Sequence, residues 1–294
     1  MRSRPITPDD FPAVATLLRE DEEHLYGRPS YIGEGEVHEW TSTADLASGS
    51  WLFENDDGIN AVGWAWMEHD RVAAIGAVHP RHKLTGLGAR LLDLSERFGR
   101  ASGHPRLQQY ALGSDNAATA LLTSRGYRDV RHFYDMAIEL ETPPEVPDVP
   151  IETLHEGDEQ AFHAALDEAF LDHWEHHSLP FDEWWSRRAG APGHDLSLWF
   201  LIRDGDEIAA VARNEAHRNG GGYVGHVGVR RPWRGRGYAK ALLLHTFREF
   251  WNRGVRRVTL GVDAESPTGA THLYERVGMH VEAENVVFEK ALTS

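Results

Sequence analysis

Apolar residues along this chain switch between helical and strand spacing, and the switching runs through the same order twice. Phe11 to Glu23 carries a helical pattern. Trp51 to Glu54 and Ile59 to Met67 read as strands of a hairpin turning at Asp57 and Gly58. An amphipathic stretch follows and closes at Gly103. In the second half Glu159 to Leu171 is helical, Leu198 to Ile202 and Ile208 to Arg213 form a hairpin around Asp204 and Gly205, and Lys240 to Arg253 is again amphipathic. The two passes keep register. Val78 and Val229, Gly86 and Gly237, Gly103 and Gly254, and Asp115 and Ser266 all lie 151 residues apart. The register slips by one only at Gly126 and Gly278. A separation held this long is an internal repeat.

Residues 142–150 between the halves hold four prolines and read as an extended linker. The pattern predicts an N-terminal domain over 1–141 and a C-terminal domain over 151–294. Each has the order β-α-α-β-β-β-α-β-α-β, an α/β fold with a mixed sheet flanked by helices.

One junction carries chemistry. Val224, Val227 and Val229 predict a strand, and the helix from Lys240 follows it closely. Between them lie Arg234, Gly235, Arg236 and Gly237. A helix start offers unpartnered N–H groups and the positive end of its dipole, and glycines let an anion approach the backbone. The segment therefore reads as a phosphate or pyrophosphate cradle. The spacing matches neither GxxxxGK(S/T) nor GxGxxG, so a nucleoside-triphosphate loop and a dinucleotide fingerprint are set aside.

Arg234 to Ala239 resembles the acetyl-CoA loop of the GNAT N-acetyltransferases, R/Q-x-x-G-x-G/A, and Val229 to Pro232 supplies the V-x-x-P before it. Ser266 to Met279 resembles the second signature of that family, N-x-x-A-x-x-L-Y-x-x-x-G-F, with Ser266 for Asn and Met279 for Phe. Ser266 is expected to cap that helix, with Pro267 at its first position and Gly278 at its end. The resemblance extends to both halves, as two tandem GNAT acyl-CoA N-acyltransferase domains.

The resemblance implies direct acetyl transfer from acetyl-CoA to a primary amine of a small molecule. The N–H groups of Gly235, Arg236, Gly237, Tyr238 and Ala239 would hold the pyrophosphate, with the side chains of Arg234 and Arg236 assisting. Ser266 joins them. Val227, Gly228 and Val229 would pair with pantetheine, and Gly225 and Gly228 would ease a bulge there. A backbone N–H near Val227 would polarise the thioester. Tyr274 matches the family's general acid. His226, on the cofactor strand, is the first candidate for the base; its side chain should face away from those of Val227 and Val229 unless a bulge intervenes. Glu215 and His217 are its rivals, and a water chain is a further route. The acceptor is expected near the segment 170–185, where Asp172, Glu175 and Asp182 suit an ammonium group and Trp174, Trp184 and Trp185 offer aromatic faces. Glu215 joins these as an acceptor contact. In the first half Val78, Lys83, Gly86 and Gly88 repeat the cofactor loop, but Leu122 stands where the acid should be. That half is expected to fold without catalysing.

Composition narrows the alternatives. The chain of 294 residues has a formal net charge of −16, which disfavours general nucleic-acid binding. It lacks cysteine, so a cysteinyl acyl-enzyme and cysteine zinc sites are excluded. His173, His176 and His177 would share a helical face, yet without HEXXH no metal is expected. The absence of a long apolar run or signal segment predicts a cytoplasmic protein without membrane contact. Two rivals remain: a non-catalytic acyl-CoA-binding or regulatory protein, and an acetyltransferase acting on protein N-termini or lysines. The sequence leaves the oligomeric state open.

Overall fold

The computed structural model describes residues 1–188 and 194–292. The chain divides into two compact units, one of Met1–Phe133 joined by the residues from Ala283 onward, the other of Tyr134–Glu282.

The first unit begins with β1 (Arg2–Arg4), α1 (Phe11–Tyr26), α2 (Glu34–Thr41) and α3 (Leu46–Gly49). β2 (Ser50–Asn55), β3 (Gly58–Glu68) and β4 (Arg71–Val78) follow as an antiparallel run. Then come α4 (Leu87–Ser102), β5 (Arg106–Leu112), α5 (Asn116–Ser124) and β6 (Arg128–Glu139). The hairpin expected at Asp57 and Gly58 is present. α1 starts at Phe11 as its periodicity predicts, burying Val14, Leu17 and Leu18 against Leu52, Val62 and Trp64. β4 and β5 are parallel and stay paired from Arg71 opposite Arg106 to Ile75 opposite Tyr110.

The second unit repeats this plan. β7 (Glu152–Thr153), α6 (Glu159–Phe170) and α7 (Phe181–Ser186) lead to β8 (Trp199–Asp204), β9 (Glu207–Arg218) and β10 (Gly221–Val229). α8 (Tyr238–Asn252), β11 (Arg257–Asp263), α9 (Ala270–Arg276) and β12 (His280–Ala291) complete the chain. Its core gathers Phe162, Trp199, Phe200, Phe247 and Phe250, all fully buried. The mixed α/β architecture expected from the sequence is the one observed.

Two features separate the units. The first is strand membership. β12 from Asn285 to Ala291 pairs antiparallel with β5 within the first unit, while the part of β6 from Tyr134 onward belongs with β11 to the second unit. The second lies between the parallel strands. β10 pairs with β11 only at Gly222 and Tyr223. Its register against β9 shifts between Val224 and His226, a bulge at Gly225. The β3/β4 ladder keeps its register throughout. Beyond Tyr223 the second unit's sheet is therefore open, where the first unit's β4 and β5 stay paired as far as Ile75, the counterpart of His226 at the 151-residue offset.

Candidate active site

The opening beside β10 is a cleft of about 1020 Å³. Val227, Gly228 and Val229 form one wall, and Gly261, Val262 and Asp263 of β11 form the other. Arg234, Gly235, Gly237, Tyr238, Ala239, Ser266, Tyr274 and His226 also line it, so one cavity collects residues spread over fifty positions of sequence. The bulge at Gly225 turns His226 to the same cleft as Val227 and Val229. The α6 end approaches closely because Gly228 lacks a side chain: a Cβ there would come within 2.7 Å of Ala169.

The loop geometry suits an anion. Gly237 caps α8 at φ 82° and Gly235 has φ 80°, both left-handed values that favour glycine. A Cβ at Gly237 would meet nothing within 4 Å, so the demand is on backbone conformation rather than protein packing. The first intrahelical bond after this cap runs from the Ala241 N–H to the Gly237 carbonyl. The N–H groups of Tyr238, Ala239 and Lys240 precede it and are left for a ligand.

Arg234 has a different task from the expected one. Its Nε donates to the Val229 carbonyl at 3.1 Å and its Nη2 to the Ala169 carbonyl at 3.2 Å. Its Nη1 meets Asp172 at 2.9 Å. It ties the loop to β10 and to the end of α6. Asp172, expected at an acceptor ammonium, is instead shared by Arg231 and Arg234, whose hydrogen bonds hold its pKa down to about 2. Arg236 faces Asp204 at 3.2 Å and does not line the cleft. Trp174, Glu175 and Glu215 do not line it either. Glu215 pairs with Arg213 at 2.8 Å and with Arg218 at 3.5 Å.

Tyr274 projects from α9 into the cleft wall and is 9% exposed. Burial, with Tyr223 adding to it, pushes its phenol up to about 12, so the hydroxyl keeps its proton at any physiological pH. Ser266 does not cap α9. The Gly269 N–H bonds to the Ser266 carbonyl at 3.1 Å, closing a turn, and Gly269 itself caps the helix at φ 68°. The one-residue slip of the repeat falls between Ser266 and Gly278, the stretch that holds this turn.

His226 does not suit a base. Its Nδ1 accepts a hydrogen bond from Arg213 Nε at 3.1 Å. Burial first, then Arg213 and other nearby cations, holds its pKa well below the usual histidine value. The ring packs edge-on to Phe170 with centroids 5.2 Å apart. Arg213 was invisible to sequence reasoning, because only the bulge brings it beside His226. The histidine face also dissolves. α6 stops at Phe170, His173 follows in a turn, and His176 Nε2 bonds to Asp167 at 2.9 Å. Among the described residues no cluster with metal-ligand geometry occurs.

The corresponding place in the first unit holds a cavity of about 310 Å³ lined by Val78, Lys83, Gly86, Gly88 and Leu122. Lys83 Nζ is engaged by Asp21 at 2.8 Å and Asp115 at 2.5 Å, all three largely buried. An ammonium held by two carboxylates has no surplus charge for a pyrophosphate, which corrects the expectation for Lys83.

A family description, Acetyltransferase (GNAT) family, matches residues 159–279. A mycothiol acetyltransferase of Nocardiopsis dassonvillei is 30% identical, with 79% of each chain covered. Another, from Salinispora arenicola, is 31% identical over 80% of this chain and 79% of its own. The crystal structure of a GCN5-related N-acetyltransferase from Sphaerobacter thermophilus matches with a TM-score of 0.87 at 34% identity, over 100% of this chain and 96% of that one. A tandem GNAT protein from the clavulanic acid biosynthesis pathway shares the fold, with a TM-score of 0.73 at 14% identity over 100% and 99%.

These matches define the class: the chain is an acyltransferase. The chain belongs to the GNAT acetyltransferase family. It is an N-acetyltransferase, and the family uses acetyl-CoA as cosubstrate. No helix among the described residues is long and apolar enough to cross a membrane.

Proposed function

We propose that acetyl transfer takes place in the second-half cleft, from acetyl-CoA to a primary amine of a small molecule. The observation that carries this reading is the contrast between the two openings. Both have a glycine-capped helix start, but the larger adds a protonated, buried Tyr274. The smaller contains Leu122 and a neutralised Lys83. In this reading the N–H groups that open α8 hold the pyrophosphate. The free edge of β10 beyond Tyr223 offers backbone groups to the pantetheine arm, and an N–H near Val227 faces the thioester oxygen. Tyr274 gives its proton to the departing thiolate. The first half, residues 1–141, contributes structure and no chemistry.

The test is thiol release from acetyl-CoA with a panel of small amines, amino-terminal peptides and lysine peptides. Release with small amines alone is the expected result. Release only with peptides would replace the acceptor class, and saturable acetyl-CoA binding with no release from any amine would make the chain a binding protein.

A further inference from the structure

Arg213 and His226 meet by a specific route. They are cross-strand partners of β9 and β10, and the bulge at Gly225 lies immediately before His226. A Cβ at Gly225 would sit 2.7 Å from Arg213 Nη2, so the missing side chain makes room for the guanidinium. Arg213 Nε then donates to His226 Nδ1 at 3.1 Å while its Nη1 is anchored by Glu215 at 2.8 Å. The Arg213 guanidinium also lies 5.9 Å from the centre of the Trp199 ring, a fully buried floor. Arginine has donors only. Its hydrogen bond therefore fixes Nδ1 as an acceptor, and the ring's proton must be on Nε2.

We propose that His226 acts in acetyl transfer as a fixed neutral hydrogen-bond donor, with Arg213 as the residue that positions it and sets its tautomer. The inference rests on the second-half cleft being the transfer site. Lining the cleft, His226 gives a hydrogen bond from Nε2–H to bound substrate and takes no proton from it. The surroundings act in the same direction. Arg213 and Arg218 from β9, Arg188 following α7 and His173 following α6 all oppose a positive ring, and Glu215 is committed to the two β9 arginines. A protonated imidazole would lose the Arg213 bond and face a second cation at the same nitrogen.

The experiment is nitrogen NMR of the full chain labelled in its histidine rings, with His226→Gln to assign the signals. The expected spectrum shows His226 as the Nε2–H tautomer, unchanged from about pH 5 to about pH 9, across the range where an ordinary histidine titrates. An Nδ1–H form, or a titration near neutrality, would overturn the proposal, and this readout asks of His226→Gln only that it fold well enough to assign the signals. In Arg213→Met the constraint is gone, and the ring is expected to titrate or to mix tautomers; an unchanged ring would remove Arg213 from its positioning role. Kinetics give the second reading. Gln places a donor near the position of Nε2, so His226→Gln should keep turnover within about tenfold while His226→Leu loses more than about a hundredfold, the scale of one lost hydrogen-bond donor to developing charge. Equal loss in both variants would restore the base, and full activity in both would remove the donor. Failure of the cleft assignment reads differently: Tyr274→Phe would then be fully active while the wild-type His226 spectrum stayed as expected.

Discussion

At Tyr274 burial decides the chemistry. An acid is useful only while it holds its proton, and a phenol raised to about 12 holds it throughout the working range. Tyr274→Phe keeps the ring and removes that proton. We expect turnover to fall roughly 10²–10⁴-fold, with acetyl-CoA affinity changed by less than about twofold. The sign of the pH dependence follows. Deprotonation of Tyr274 would remove activity as pH rises, so the wild-type profile should show no Tyr274-dependent decline below about pH 10. A decline near pH 8 that vanishes in the Phe variant, measured by the pH dependence of kcat, would contradict the assignment. Tyr274 was legible in the sequence because its neighbours repeat a motif, as were Gly235 and Gly237. The partners of Arg234, Asp172 and His226 were not. Each is set by a contact across the fold, and neither charge nor spacing along the chain announces it.

At the scale of elements, Lys83 ties together α1, through Asp21, and the start of α5, through Asp115. Lys83→Met leaves two largely buried carboxylates facing each other. Breaking such a pair costs about 3–5 kcal/mol, and we expect a correspondingly lower Tm. Burial already raises the pKa of Asp21 in the intact protein. Ionised Asp21 is therefore a source of instability once its partner is removed, and the variant should recover part of its deficit as the pH falls and the carboxyl protonates. Thermal melts at several pH values check this. Acetyl-CoA affinity should not change; a large loss would return a cofactor role to the first loop. Helices and hairpins of both halves were readable because each buries its own periodic face. The cleft was not readable. It depends on where β10 leaves β11, beside two register shifts of β10 against β9 that are set by the neighbouring strand.

At the scale of the whole molecule, the last strand leaves the sequence half that precedes it. Arg106 and Gln108 reach Glu289, Lys290 reaches Glu96, and the Tyr26 hydroxyl bonds the Glu284 carbonyl, all within the first unit. Ending the chain after Glu282 would strip the outer edge of β5. Hydrogen exchange should then accelerate at residues 106–112 while α8 keeps its protection. Equal loss in α8 would show that the two units do not open separately. The repeat itself was plain in the sequence, but no local signal tells a final strand which of two similar sheets it completes. The central claim is that only the second loop holds acetyl-CoA, and it has a matched control. Gly86 (φ 90°) and Gly237 (φ 82°) cap corresponding helices, and a Cβ at either meets nothing within 4 Å. Valine at either position therefore strains the backbone alike, and only one of the two should obstruct a ligand. Calorimetric titration with acetyl-CoA should give one site per chain in the native protein, unaltered affinity in Gly86→Val, and no measurable binding in folded Gly237→Val. Binding that survives in Gly237→Val and disappears in Gly86→Val would place the cofactor in the other half and contradict the account.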